Sequence, residues 1–267
     1  MTGLPPLLLV GGGKMGGAML AGWREQGLSP VFVVDPAPAA GALAGGPVTV
    51  VPVIDAVPPE FRPSCVVLAV KPQQADAALP GVARYADGAV FLSIMAGRAV
   101  AGLRAALPGA AVVRAMPNTP AAIRQGITVA FAGPGVQAGQ RALADTLLAA
   151  VGEVAWVEDE GLIDPVTAIS GGGPAYVFLL AELLEQAGVA HGLPPALARL
   201  LARRTVAGSG ALLGASNEDA ATLRRAVTSP GGTTERALAV LMDERAWPSA
   251  MQAAISAATA RSRELAA

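Results

Sequence analysis

Apolar residues in the first half of the chain come as short unbroken runs. "LLLV" (7–10), "VFVV" (31–34), "VTVV" (48–51), "CVVLAV" (65–70), "AVFLSI" (89–94), "AVV" (111–113), "ITVAF" (127–131) and "EVAWV" (153–157) have strand length and strand composition. Because they are apolar at successive rather than alternate positions, they predict a sheet covered on both faces. Helical spacing appears between them, at about 15–27, 73–84, 97–107 and 137–151. Alternating strand and helix predicts an α/β domain with a doubly wound sheet.

After Trp156 the strand pattern stops. From Glu160 the chain reads as helices only, broken at "SGGGP" (170–174), "HGLPP" (191–195), "GASNED" (214–219) and "SPGG" (229–232). Two domains are expected, 1–159 α/β and 160–267 all-α, with the charged "EDEG" at their junction. The helical half is rich in Ala, Leu and Gly, and small residues let helices approach closely.

Composition narrows the function. Hydrophobic residues make up 53% and charged residues 15%, which argues against disorder. Net charge is −1 with no basic run, so nucleic acid is a poor partner. The most apolar stretch, "PAYVFLLAELLEQAG", is interrupted by Glu182 and Glu185, short of the roughly 18 uncharged residues of a spanning helix. The N-terminal "MTGLPPLLLVGGG" has no basic leader, so no signal peptide and no membrane are expected. Excess apolar surface is then expected to be buried against a second copy. With Cys65 and His191 the only residues of their types, a Cys/His metal site and an intrachain disulfide are set aside, and the cytoplasm is expected. His191 reads as a loop residue and Cys65 as core.

"LLLVGGGKMGGAM" places Gly11-x-Gly13-x-x-Gly16 after a strand and at the start of a helix. The first glycine allows the tight turn, the second lets the backbone approach a pyrophosphate, and the third lets helix and strand pack closely. Asp35 ends the second strand. An acid there bonds the 2′-hydroxyl of an adenosine ribose and repels a 2′-phosphate, which favours NAD; the same Asp-Pro pair also starts a turn. Lys71, one of two lysines, stands at a strand mouth, either as a cofactor contact or as an exposed loop lysine. "MPNTP" (116–120) holds Asn118 between prolines, suited to orienting a carboxamide or a substrate, or simply to turning the chain.

The other distinctive loop is "TSPGGTTERALAVL" (228–241). Gly232 is a candidate N-cap with Glu235 at the third helical position. The amides of Gly231 and Gly232 are expected to be unshielded and, with the hydroxyls of Ser229, Thr233 and Thr234, to form donors for a small carboxylate. The scarcity of acid–base groups favours reduction of an imine over a ketone. A protonated imine already carries the charge, so a hydroxyl such as that of Thr234 suffices to orient its nitrogen.

These segments together resemble the pyrroline-5-carboxylate reductase family, through "GGGKMGGAM", "AVKPQ", "MPNTPA", "SGGGPAYVF" and "LRRAVTSPGGTTERAL" in the family's order along essentially the whole chain. The resemblance implies a Rossmann-type domain, an all-α helical dimerisation domain interlocked in a homodimer, often a ring of dimers, and reduction of a cyclic imino acid to L-proline. It implies cofactor contacts from Val10, Gly11, Gly12, Gly13, Lys14 and Met15 and from Ala69, Val70, Lys71 and Pro72. It also implies substrate contacts from Ser229, Gly231, Gly232 and Thr233, Thr234 at the ring nitrogen, and Glu160 near the ligands. NADPH is the family's cofactor, with NADH open because of Asp35. Arg225 and Ala226 depart from the family's pattern and bear on fine contacts.

Two other readings compete. A β-hydroxyacid dehydrogenase shares the plan but needs a helix lysine, and none follows Lys71. A non-catalytic nucleotide sensor would leave the carboxylate loop without a ligand.

Overall fold

The computed structural model describes residues 3–266. Among them one eight-stranded sheet has the order β3-β2-β1-β4-β5-β6-β7-β8. Its strands are β1 (Leu7–Val10), β2 (Val31–Val34), β3 (Val48–Val51), β4 (Cys65–Leu68), β5 (Val90–Ser93), β6 (Ala111–Met116), β7 (Gly126–Ala132) and β8 (Gly152–Val157). Every pairing is parallel except β6 with β7.

Helices α1 (Lys14–Glu25), α2 (Ala75–Val82), α3 (Val100–Ala106) and α4 (Ala138–Ala149) cover both faces. Leu7 and Leu9 of β1 join a core with Met19, Leu20 and Trp23 of α1 and Leu147 and Leu148 of α4. Leu8 and Val10 join a second core with Leu79 and Val82 of α2 and Leu103 of α3. Successive side chains of one strand thus enter opposite cores, which is why its sequence is apolar throughout. Trp23 is fully buried, and its Nε1–H donates to the Leu147 carbonyl at 2.8 Å, tying α1 to α4.

Strand ends differ from expectation at two informative places. β4 stops at Leu68, not Val70, because Ala69 and Val70 turn away beside Gly11. β6 continues to Met116, beyond Val113, because β7 returns antiparallel and pairs Met116 with Val129. The charge of Arg114 hid that continuation.

The chain divides into two compact units, one running up to Gly171 and resuming at Ala258, the other Gly172–Ala257. Residues 160–171, expected with the helical half, therefore cluster with the sheet. There Ile163 and Asp164 of α5 (Ile163–Val166) are buried, and α5 packs on β6 and β7. A π-helical turn, Thr167–Gly171, follows.

The second unit holds α6 (Gly173–Ala190), α7 (Pro195–Ala215), α8 (Ala220–Ala226), α9 (Thr233–Leu241) and the start of α10 (Trp247–Ala266). α6 packs on α7, where a Cβ at Gly188 would lie 3.1 Å from that of Ala198, so the small residue sets the approach. No residue of α6 is buried, and Phe178 is 68% exposed. Leu179, Leu183, Leu200, Val240 and Met251 are exposed too. The helical run Glu160–Ala190, with mean hydropathy 1.3, is long and apolar enough to cross a membrane by length and composition, Glu182 and Glu185 notwithstanding.

Trp23→Phe leaves the Leu147 carbonyl without its donor and opens space in the core. It should cost about 1–3 kcal/mol, read as a lower midpoint in urea unfolding.

Candidate functional site

Strand order reverses at β1. The chain leaves it toward β2 on one side and returns to β4 on the other. In open α/β sheets ligands bind in the crevice beyond the carboxyl ends of such strands. Gly11 and Ala69, the residues that follow β1 and β4, meet there. Gly11 has φ +99, and a Cβ on it would lie 2.7 Å from the Ala69 carbonyl. A Cβ on Gly16 would lie 2.2 Å from the Gly11 carbonyl oxygen, so α1 rests directly on the turn. A Cβ on Gly13 would meet nothing within 4 Å, which leaves room for a ligand's phosphates.

Gly13 caps α1 without a side chain, no acid occupies the first turn, and exposed Lys14 begins the helix. The uncovered amides and the positive end of α1 suit a pyrophosphate. The glycine spacing therefore fits a dinucleotide. Val10 ends β1 in the core, and Met15 is half-buried.

Asp35 serves the loop directly. Its Oδ2 accepts the Gly12 amide at 2.7 Å and its Oδ1 accepts the Ala37 amide at 2.8 Å. Its carboxylate thus braces the glycine turn and starts the Asp-Pro turn at once, while its charge sits at the end of β2. On the other side of the crevice, Lys71 is exposed and precedes a short 3-10 turn, Pro72–Gln74. Arg98 holds that turn, donating from Nη2 to the Pro72 carbonyl at 3.0 Å and pairing with Asp76 at 3.1 Å. Nothing in the local sequence pattern marked Arg98. Asn118 accepts the Ile127 amide on Oδ1 at 3.0 Å, which fixes the side-chain amide and assigns Nδ2 as its outward donor.

Glu160 lies in a cluster that sequence reasoning missed. Its Oε1 accepts from Arg114 Nη1 at 2.9 Å and from the Val100 amide at 2.8 Å. Arg114 Nη2 is 3.8 Å from Asp164 Oδ1, which also accepts the Ser262 hydroxyl at 2.7 Å. The signal available in the sequence was the arginine in the otherwise apolar "AVVRAM" (111–116).

In the helical unit, the loop before α9 has Gly232 as N-cap and Glu235 at the third helical position, as expected. Asp219 caps the preceding helix, α8, and the Thr222 amide it accepts holds its carboxyl below the usual range. Gly231 adopts φ +70. The expectation of free glycine amides does not hold. The Gly231 amide donates to Glu235 Oε2 at 2.8 Å, and the Gly232 amide donates to the Ser229 carbonyl at 3.0 Å. Glu235 reaches back over the cap, and the loop closes on itself. The amides left for an anion are those at the start of α9, from Thr233, Thr234 and Glu235, beside the exposed hydroxyls of Ser229, Thr233 and Thr234. Arg225 donates to Thr222 Oγ1 at 2.8 Å and Ala226 ends α8.

His191 is exposed, with Nδ1 2.8 Å from the Ala187 carbonyl, and it closes α6. Burial raises the Cys65 thiol to about 12, so it is no nucleophile in the folded chain.

A family model described as pyrroline-5-carboxylate reductase dimerisation matches residues 160–265. One described as NADP oxidoreductase, coenzyme F420-dependent, matches residues 7–97. The chain is similar to the pyrroline-5-carboxylate reductase of Pseudomonas aeruginosa, 37% identical over 98% of this chain and 97% of that one. It is similar in structure to a pyrroline-5-carboxylate reductase from Coxiella burnetii, with TM-score 0.87, 31% identity, and coverage of 98% and 99%. The Plasmodium falciparum pyrroline carboxylate reductase with NADP bound superimposes with TM-score 0.83 at 25% identity, covering 98% of each chain.

Proposed function

The chain belongs to the pyrroline-5-carboxylate reductase family, NAD(P)-dependent oxidoreductases that reduce the C=N bond of 1-pyrroline-5-carboxylate to L-proline in proline biosynthesis, and from that premise we propose which of its own residues carry the reaction. The observation that carries the reading is the Ser-Pro-Gly-Gly loop, closed on itself and followed by the donor-rich start of α9.

Val10 to Met15 hold the dinucleotide's pyrophosphate against the start of α1, and Ala69 to Pro72 form the opposite wall. Asn118 offers Nδ2 to the carboxamide. When bound, the nicotinamide supplies the hydride. In the helical unit, the amides of Thr233 and Thr234 and the hydroxyls of Ser229 and Thr233 take the substrate carboxylate, while Gly231 and Gly232 shape the loop. The Thr234 hydroxyl holds the ring nitrogen. As hydride reaches the carbon of the protonated C=N bond, the π pair becomes the nitrogen's lone pair and the product is a neutral amine. No strong acid is needed to quench it. Glu160 supplies a negative charge for this cation.

For the cofactor we favour NADH over NADPH. The Asp35 carboxylate stands at the end of β2, and the residues after it, "PAPAAG" (36–41), carry no hydroxyl or basic side chain for a 2′-phosphate. The exposed apolar surface of α6 and α7 is covered by a second copy rather than by lipid, since the dimerisation model spans these helices. Dimers of this kind close further into a ring. A single unpaired thiol supports a cytoplasmic location.

Nicotinamide absorbance with pyrroline-5-carboxylate should show turnover with both cofactors and a higher kcat/KM with NADH. Asp35→Ser should raise the NADPH-to-NADH ratio of kcat/KM by about tenfold. Equal use of both cofactors by the wild type would refute the assignment of Asp35.

Thr234→Ala should lower kcat/KM by about 10- to 100-fold, the loss of one hydrogen bond to a charged group, and abolish the heat protection that proline gives the folded chain. Unchanged protection would remove Thr234 from the site.

Sedimentation should return the mass of two chains or an even multiple of it. Phe178→Asp should shift the mass toward one chain, and an unshifted mass would place the interface elsewhere.

A further inference from the structure

We infer that Arg114 is a positioning residue for the reaction, holding one oxygen of the Glu160 carboxylate and leaving the other for the charged ring nitrogen of the imino acid. The inference rests on the proposed function. It goes beyond it in giving Glu160 a built support within the sheet.

Four observations carry it. First, Arg114 lies on β6 in register with Ser93, the last residue of β5, so the residue stands at the carboxyl edge of the parallel strands. That is two strand spacings, roughly 10 Å, from β4 and the crevice. Second, the ion pair is end-on. Nη1 meets Oε1, and Oε1 also takes the Val100 amide, so both bonds fall on one carboxylate oxygen. An arginine serving only as a cross-link gains most from the two-pronged geometry, which uses both oxygens.

Third, the Arg114 side chain is 3% exposed and that of Glu160 is 25% exposed. The buried cation therefore supports a carboxylate that reaches out of the core. Fourth, Arg114 Nε and Nη2 are buried and make no hydrogen bond among the described residues. Such groups are costly, and a second carboxylate, Asp164, approaches to only 3.8 Å while accepting the Ser262 hydroxyl. The fold thus keeps a full positive charge beside Glu160 while Nη1 alone of its nitrogens is hydrogen-bonded among the described residues.

A carboxylate with one oxygen fixed is oriented before any ligand arrives. A carboxylate so held stabilises a cationic ring nitrogen and does nothing for a ligand that lacks one.

The test compares two ligands on the full-length, cofactor-loaded protein by calorimetry. L-Proline carries a charged ring nitrogen; cyclopentanecarboxylate has the same ring size and carboxylate with no nitrogen. Arg114→Met should weaken proline by about tenfold and leave cyclopentanecarboxylate within about twofold. Glu160→Gln, which keeps the acceptor for Val100 and lacks the charge, should do the same. Arg114→Lys should bring proline back to within about threefold of wild type, since the charge returns without the planar fork. Where Arg114→Met fails to fold, the ratio in Arg114→Lys against Glu160→Gln decides. Ser262→Ala, which disturbs the same cluster through Asp164, should lower the melting temperature and leave the ratio of the two affinities unchanged.

An equal loss for both ligands in the Arg114 variants, no loss for either, or a proline-specific loss in Glu160→Gln alone overturns the inference. A wild-type protein that turns over no pyrroline-5-carboxylate and binds neither ligand overturns the proposed function, and this inference with it. Wild-type turnover with a flat ligand ratio across the variants removes only the role of Arg114.

Discussion

The backbone of Gly11 passes so close to Ala69 that no side chain fits between them. This constraint joins the ends of β1 and β4, where the strand order reverses, and the rest of the cofactor domain is arranged around it. Gly16 must lack a side chain because α1 rests on the same turn. Asp35 braces the turn from the end of β2. β4 has to end at Leu68 because its next residues are the wall against which Gly11 turns. The crevice is a consequence of two backbones meeting, and the open space at Gly13 is what remains for a ligand.

Polar groups elsewhere in the sheet unit are organised by a different economy. Apolar residues fill both faces, so a charge placed there has to be matched. Arg114 meets Glu160 and approaches Asp164, and Asp164 in turn takes a hydroxyl from the last turns of α10. One strand residue thereby gathers α3, α5 and the last turns of α10 around it, all within the sheet unit. This is why residues 160–171 belong with the sheet in space even though the matching family model begins at 160. Inheritance and compactness draw the boundary in different places.

The helical unit makes the opposite use of its sequence. Its helices carry exposed apolar residues such as Phe178, Leu200 and Val240, and close packing is achieved where a small residue such as Gly188 stands opposite Ala198. The surplus is what an oligomeric interface needs. The loop before α9 shows the limit of reading donors from glycines. Glycine leaves an amide unshielded by its own side chain, but Glu235, four residues on, is close enough to occupy it.

Most elements and their turns are legible in the local pattern of the chain. Unbroken apolar runs record burial on two faces, the glycine spacing records where backbones touch, and Gly232 with Glu235 records a helix start. These are local properties, written within a few residues of where they act. Which charges meet emerges on folding. Arg114 and Glu160 are 46 residues apart and Asp164 and Ser262 are 98 apart, so no spacing in the chain announces them. Folding also decides that the Gly231 amide is taken, that the Asn118 oxygen is bound, and that the segment after β8 joins the sheet. A side chain's partner depends on distance in space, and distance in space exists only once the chain has folded.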